Sequence, residues 1–394
     1  PARWRTTLTA ATTLASLGLT DPIVYRNGAA ASADDLALYD VLYYSTSSNT
    51  VWAYSEKKSG TLDAISPNKE APTTVTVSGV SYKLSTAAAK AAVGLDGLET
   101  GDIVTLLLDR DGNAADVHAA AALYDTQLGV VTQAGTKAIS GVSTHYVTLL
   151  LTDGSTLDLA CSSDRSALVG RAVKLSYNAS GASVSATSSG GLSGEVSASK
   201  GTIGGKSLAD DVKILDLSSA GVCVSVSLSR IDKLTLSSGS VLLATADSDG
   251  RINAVVLNDV TGDAHSYGYV TQSSQDEEGA ASPSYRIDIA GATTSISGGD
   301  TWYNVTSGAA QITKDSSGAI SSMRNLTRLS RSVEQVTPAS LTTTDGSVYP
   351  LSGNVAQMRY ASIDELMDSD PASITAYYDK DPSSGGRIRV IVYK

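Results

Sequence analysis

Residues 129–186 read GVVTQAGTKAISGVSTHYVTLLLTDGSTLDLACSSDRSALVGRAVKLSYNASGASVSA, and the alternation within them decides the fold. Five runs place apolar side chains at about every second position: GVVTQ from Gly129, HYVTLLL from His145, TLDLAC from Thr156, AVKLSY from Ala172 and ASVSA from Ala182. That period belongs to half-buried strands. Asp153-Gly154 and the stretch from Asn178 to Gly181 read as hairpin turns, because Gly takes positive φ freely and Asp or Asn closes a local turn with its side chain. A loop through Asp164 and Arg165 joins the third run to the fourth. Five short antiparallel strands in so little chain predict a small SH3-like or OB-like barrel, which closes to hide its edges.

Working outward, the same unit recurs. An Asp or Asn followed three residues later by Gly lies between strand-like runs at Asp109–Gly112, Asn178–Gly181, Asp247–Gly250 and Asp315–Gly318, with a looser copy ending at Gly386. These glycines succeed one another at 69, 69, 68 and 68 residues. A second marker, a Gly opening a strand, runs in phase at Gly60, Gly129, Gly194 and Gly268, and a Gly-containing hairpin falls between the two markers. A steady period of this kind marks a tandem array, each repeat one supersecondary unit. The expected fold is therefore all-β: five-stranded SH3-like or OB-like barrels over 60–125, 126–190, 191–262, 263–330 and 331–394, with short helical connectors. Residues 21–59 read as a partial module. Residues 1–20 contain Thr6–Leu14 (TTLTAATTL), a segment suited to complete a barrel in its own chain or in a neighbouring subunit. Helix is expected only at Ser85–Ala92, Asp116–Tyr124 and Ser362–Met367, where Ser362 and Glu365 match a capping box.

Composition narrows the function. The chain has 394 residues, 40 acidic against 29 Lys and Arg, and a net charge of −11, which opposes binding to a phosphate backbone and so excludes nucleic acid as a partner. No apolar run is long enough for a membrane span. The sequence starts at Pro1 with no charged-then-apolar leader, and is read as a mature product whose targeting segment has been removed. Cys161 and Cys223 lie in alternating apolar runs and read as packed thiols, with a single bridge between them left open. Eighteen Tyr accompany no Phe at all.

Chemistry-bearing motifs are few. GTIGGKS (Gly201–Ser207) imitates a phosphate loop, but three residues rather than four separate Gly201 from Gly205, and it occupies the place of a module hairpin. Asp109 and Asp111, like Asp247 and Asp249, put carboxylates on alternate residues as calcium loops do; Asn113, Asp116 and Asn253 extend the pattern. Both stretches lack the closing bidentate Glu, and other copies keep the turn with Ala179, Ser316 and Ser317 in place of acids. Calcium is thus the secondary reading and turn geometry the first; no other cofactor is expected. His118, His145 and His265 fall in three different modules. The carboxylate pairs Asp34/Asp35, Asp210/Asp211 and Glu277/Glu278 sit in polar contexts, and no Gly-x-Ser-x-Gly elbow occurs. Nothing supplies a nucleophile with its base, so no catalytic residue is assigned and no enzyme is expected. Tyr39, Tyr43, Tyr44, Trp52 and Tyr54, with Trp302 and Tyr303, could stack on sugars, although Tyr43 and Tyr44 point to opposite faces of one strand. Asn178, Asn304 and Asn325 head Asn-x-Ser/Thr triplets, which carry little weight alone.

Residues Tyr39–Leu84, with YDVLYYSTSSNTVWAY and SGTLDAISPNKEAPTTVTVSGVSYKL, and Gly101–Val117, GDIVTLLLDRDGNAADV, resemble the repeat region of large clostridial surface proteins that carry S-layer homology domains. The likeness is good over roughly 20–120 and fades afterwards to the module pattern; the anchoring helical homology domains do not occur in these residues. It implies an exported, wall-associated extracellular protein that assembles with copies of itself into a surface layer or filament. The alternative is a non-catalytic module binding cell-wall polysaccharide.

Overall fold

The computed structural model describes residues 4–393 except 10–11, 34–35, 121–125, 140–141, 179–180, 189–190, 274–282, 290–291, 298–300, 316–317 and 359–362. The protein is all-β, arranged in several sheets with two short α-helices among the described residues. It divides into two compact units, Pro1–Ser188 and Ser189–Lys394.

In the first unit, β1 (Trp4–Thr7), β2 (Ile23–Arg26), β3 (Ala29–Ala31), β4 (Val41–Ser45) and β5 (Thr50–Tyr54) form one sheet in the order β1-β4-β5-β2-β3. A second sheet gathers β6 (Lys57–Ser66), β7 (Thr74–Val77), β8 (Val80–Lys83), β9 (Ile103–Leu108), β10 (Ala114–Ala119), β11 (Thr126–Ile139), β12 (Val142–Leu151), β13 (Thr156–Cys161), β14 (Ala172–Asn178) and β15 (Gly181–Ala186), with helix α1 (Ala87–Ala92) capped by the Thr86 side chain. All five runs of 129–186 are strands, β11 to β15. Leu157 and Leu159 of β13 are buried while Thr156 before them and Asp158 between them are not, as the alternation requires.

The second unit continues with β16 (Gly194–Ser197), β17 (Thr202–Ile203), β18 (Lys206–Leu217), β19 (Cys223–Ser225), β20 (Thr235–Leu236), β21 (Val241–Ala246) and β22 (Ile252–Asn258) in one sheet. Its second sheet holds β23 (Ser266–Ser273), β24 (Ser284–Ile289), β25 (Ala292–Ser297), β26 (Gly308–Lys314) and β27 (Ile320–Asn325). Its third holds β28 (Thr327–Arg328), β29 (Val333–Val336), β30 (Ser340–Thr343), β31 (Val348–Met358), β32 (Ile374–Tyr378) and β33 (Ile388–Tyr393), with helix α2 (Ile363–Met367) between β31 and β32.

Each repeat interval contributes its own core. One cluster runs from Leu62 to Val117, the next from Val131 to Val184, then Leu192–Val260, Val270–Met323 and Leu329–Ile391, with a smaller one from Leu19 to Ala53. Strands at the junctions are buried on both faces. In β9, Val104, Leu106 and Leu108 enter one core while Leu107 packs with Val41 and Ala115 on the other side. That double burial is why TLLL reads as a continuous apolar run rather than an alternating one.

Three expectations are corrected. Among the described residues no sheet closes into a barrel. The strand orders are open at their ends, and in one place a module joins its neighbour: β13 runs parallel to β6 at Leu157–Ser59 and Asp158–Gly60. Pairing is also not all antiparallel. The third strand of a module meets the start of its fifth in parallel at Leu84–Ala114, Leu208–Ile252 and Leu351–Ile388, the first as a single bridge and the others with the same break in register that follows. The helix expected at Asp116–Tyr124 is strand β10 as far as Ala119, because Ala114–Ala119 pairs with β9 and tertiary pairing outweighs alanine's helical preference; 121–124 lie outside the described residues. Trp4–Thr7 pairs with β4 of its own chain, one of the two alternatives that the sequence left open.

The fourth-to-fifth-strand turn is one structure used repeatedly. In 109–113, 247–251 and 315–319 the Asp N–H donates to the carbonyl four residues on, and Gly112, Gly250 or Gly318 donates back to the Asp carbonyl with φ of +75°, +78° and +85°. A Cβ at Gly250 would meet nothing within 4 Å, so only backbone strain opposes a side chain there. Gly250→Ala should therefore lower unfolding free energy by about 1 kcal/mol, and Gly250→Asn by clearly less, in chemical denaturation.

Candidate functional site

The turn aspartates do more than close their turns. Asp109 Oδ1 accepts the amides of Asp111 at 3.0 Å and Asn113 at 2.9 Å, while Oδ2 faces the preceding module. There Arg5 of β1 donates from Nη1 to Asp109 Oδ2 at 2.9 Å, to Ser85 Oγ at 3.1 Å and to the Tyr43 hydroxyl at 3.3 Å, with the Ser85 carbonyl taking Nη2. Ser85 Oγ also donates to Asp109 Oδ2 at 2.7 Å. The Tyr43 ring lies between Arg5 and Arg110, 5.7 and 5.2 Å from its centroid. Asp40, buried, is gripped by both Nε and Nη2 of Arg26.

The second unit repeats the device with a larger network. Asp379 Oδ1 accepts the amides of Lys380 and Arg387, and its Oδ2 receives Nε of Arg389 at 2.9 Å. Arg389 is almost wholly buried. Its Nη1 donates to Asp263 Oδ1 at 2.8 Å and Ser352 Oγ at 3.0 Å, Nη2 reaches the Thr261 carbonyl, and its guanidinium lies 4.6 Å from the Tyr267 ring centroid. Asp263 is held from the other side by Arg230, through Nε at 2.8 Å and Nη2 at 3.2 Å, and Arg230 Nη2 also donates to the carbonyls of Thr261 and Gly385. Asp216, at the end of β18, accepts the amides of Val260 and Thr261 and the Thr261 hydroxyl. The His265 ring sits 3.0 Å from Asp259 and from Thr313 Oγ1, and the Tyr267 hydroxyl donates to the Gly262 carbonyl at 2.7 Å. Side chains of three repeat intervals thus meet in one hydrogen-bonded cluster. Burial pushes the Asp263 carboxyl upward, but the bonds from Arg230 and Arg389 outweigh it and hold the group below its ordinary value. Burial likewise works against the Arg389 charge, and Tyr267, Asp379 and Asp263 more than offset it.

Asp109 was marked by its turn, but the arginines and Asp216, Asp263 and Asp379 were marked by no motif. The available signal was an Arg inside an apolar run, GRIRVIVY, at a position where a strand buried on both faces has no exit to solvent, and an Asp similarly enclosed in ILDL. Buried charges survive only when paired, so each was a cue to a partner elsewhere.

The calcium candidates resolve accordingly. Asp109 has both oxygens engaged by amide, Arg and Ser donors; Asp247 Oδ1 accepts Asp249 and Arg251 amides and its Oδ2 the Arg251 Nε. Asp111 and Asp249 are exposed and lie 3.4 and 3.6 Å from Arg110 and Arg251. These carboxylates answer to cations and amides of the protein itself. His118 stacks edge-on with Tyr39 and lies 3.3 Å from Asp116, while His145 pairs across the sheet with Cys161. Cys161 and Cys223 are free and half-buried; burial, with Asp216 nearby, pushes the Cys223 thiol to about 11, and burial raises Cys161 as well. Both are protonated and weakly nucleophilic at neutral pH. GTIGGKS is a hairpin, with Ile203 opposite Lys206 and Gly204-Gly205 at its tip. Asp210 and Asp211 are exposed, and Asp34, Asp35, Glu277 and Glu278 lie outside the described residues.

The aromatics divide in the same way. Tyr43 packs with Tyr39, Tyr54, Val41 and Leu107, whereas Tyr44 turns to the core of Leu19, Val24 and Leu42. Trp302 is exposed, but Tyr303 is buried with its amide bonded to the Tyr285 hydroxyl, so the two form no common platform. Asn304 is exposed, and Asn325 is tied to Thr306 by paired bonds. No helix among the described residues is long and apolar enough to cross a membrane.

No family model matches the sequence, and neither a curated protein nor a solved structure matches it.

Removing one partner of a buried pair strands the other, so Arg389→Met should cost about 3–5 kcal/mol, and adding Asp379→Asn, which keeps the turn acceptor, should recover much of it. Thermal and chemical denaturation of the single and double variants read this directly. Because the folded Asp263 carboxyl lies below its unfolded value of about 3.9, its contribution is complete above that pH and is lost as pH falls through the folded value. An Asp263→Asn variant should therefore show a shallower loss of melting temperature between pH 5 and pH 2 (roughly the acid limb) than the parent. Chelator should leave the melting temperature unchanged; a fall would restore calcium to the turns.

Proposed function

We propose that this chain is a structural subunit of a bacterial cell-surface assembly, an S-layer or extracellular filament, that self-associates through its β modules. The observation that carries this reading is where the charge inside the fold goes: Arg5, Arg230 and Arg389 all bind carboxylates across module boundaries. Groups that could serve as acid, base or anion receptor are instead committed to holding successive repeats together. We read each repeat as an opened variant of the small SH3-like or OB-like barrel, with its ring incomplete rather than sealed. The resemblance of Tyr39–Leu84 and Gly101–Val117 to clostridial surface proteins supports an exported, wall-associated setting.

Strand β1 gives the assembly a handle. It contributes four register pairs to β4 and, through Arg5, a socket built by Ser85 and Asp109. A strand held at both a sheet edge and a side-chain socket can be exchanged between copies without loss of contacts. The exposed Trp302 favours the second reading, binding of wall polysaccharide. Electron microscopy of the purified chain separates them: ordered sheets or fibres are expected, whereas dispersed monomers whose Trp fluorescence is quenched by wall glycan would favour the second. Deleting residues 1–20 should abolish polymers while leaving the strand signal in circular dichroism. Normal assembly of that truncation would exclude β1 as the linking strand.

A further inference from the structure

The third sheet of the second unit departs from the repeat pattern at one place. In three other intervals the first strand is a continuous ladder that changes partner without a break: β6 pairs β9 from Lys57 to Thr61 and β7 from Leu62, and β11 and β23 behave alike. In the last interval that strand is cut in two. β28 pairs β32 only at Thr327–Tyr378 and Arg328–Tyr377, the Leu329 amide adds a bond to the Ala376 carbonyl, and pairing resumes with β30 at Val333. The strand order β28-β32-β33-β31-β30-β29 is a ring interrupted between its two ends, which are consecutive in the chain. Ser330, Arg331 and Ser332 span the interruption, and the gap they leave is an open cleft of about 520 Å³, bounded opposite by Pro371, Ala372 and Ile374–Ala376.

The chemistry of this cleft is specific. On one wall runs the short edge of β32, from which the ladder to β28 has stopped at Ala376; the Ile374 amide donates to the Pro371 carbonyl, and what remains of the edge suits an extended backbone. Thr375, nine-tenths buried, lies on this wall. On the other wall are two exposed guanidiniums. Arg328 has no carboxylate partner among the described residues, and Arg331 meets only the exposed Asp345 at 3.4 Å, a pair of small worth. Guanidiniums bind carboxylates in a forked geometry, so the cleft selects an extended segment bearing acids.

We propose that the cleft receives an extended acidic segment of a second copy of this chain, which pairs with the free edge of β32 and sets carboxylates against Arg328 and Arg331. The occupant follows from charge and from the edge together. The chain carries 40 acidic residues against 29 basic, so a second copy presents the complementary sign, whereas a sugar acid would satisfy the guanidiniums and leave the strand edge unpaired. Cleft and inserted segment are different surfaces, and a contact of that kind is heterologous: it propagates into open arrays instead of stopping at a dimer. This inference rests on the self-assembly reading above and names the surface that would carry it.

The test uses the full chain, prepared with Ser332→p-benzoylphenylalanine as a photo-cross-linker and mixed from 14N- and 15N-labelled batches. Sedimentation at low and high salt gives the association, and R328E/R331E and the milder R328Q/R331Q, checked for unchanged melting, give its dependence on the cleft. The expected result is cross-links between isotopically distinct copies that map to acidic segments. Association should fall at least tenfold in R328E/R331E, with a smaller loss in R328Q/R331Q and in high salt. Undiminished polymers in both variants would overturn the cleft while leaving the assembly reading intact. Cross-links confined to single copies would also overturn it. A parent chain that stays monomeric at every concentration would overturn both, and displacement of nothing but a bound oligogalacturonate by R328E/R331E would assign the cleft to glycan instead.

Discussion

A carboxylate has two oxygens, and the aspartates that head the recurring turns give each a separate task. One oxygen accepts the amides that fold the turn; at Asp109 and Asp379 the other is offered to an arginine. The turn is local and forms from its own residues, so the anion is placed before its partner arrives. Docking then requires only that a strand carrying Arg at the right register come alongside. An arginine beside a pre-set, half-neutralised carboxylate loses less on desolvation than one that must order its acceptor, which is how charges as deeply buried as Arg389 and Asp379 are tolerated.

Apolar burial supplies the bulk of the cohesion, and the charged clusters decide which faces meet. Each repeat has its own small core, too modest alone to fix a neighbour. Where repeats touch, the contact mixes aromatic rings with ion pairs: Tyr39, Tyr43 and Tyr54 near Arg5 in one unit, Tyr267, Tyr269 and Tyr377 near Arg389 in the other. Tyr suits such places better than Phe, since its hydroxyl can answer a buried donor or acceptor while its ring fills space. Tyr267, Tyr285 and Tyr303 all hydrogen-bond through that hydroxyl inside the fold. The use of Tyr where other proteins place Phe is consistent with junctions that need polar anchorage. Gly262 shows how tight the anchorage is. Its φ is +70°, and a Cβ there would stand 2.5 Å from the Asp379 carboxylate and 2.9 Å from the Tyr267 hydroxyl.

Much of this architecture was legible in the sequence. Alternation located β11 to β15, and the Gly period located the turns, because both are local consequences of pleat and of positive φ. Helix Ala87–Ala92 was found within two residues. What escaped was non-local. The third strand meets the fifth in a parallel contact across thirty or more residues, which no hairpin signal encodes. Asp116–Ala119 was misjudged for a related reason: a stretch leading into an alanine run favours helix in isolation and becomes strand when β9 is alongside. The arginine latches left only a faint trace, a charged residue in an apolar run, whose partner lay as far away as Asp263 from Arg389. The acidic pairs in the turns were legible but ambiguous, since alternate carboxylates serve a hard cation and a tight turn equally well until the donors around them are known.

The latch around Arg389 also sets an order of events. Its members stand at 216, 230, 261, 263, 352, 379 and 389, so it cannot engage while the ribosome still holds the last of them. Repeats with their own cores are free to collapse as they emerge, one after another, yet the second unit stays loosely hinged until residue 389 is released. Rigidity of this cluster therefore arrives only with the last of its members.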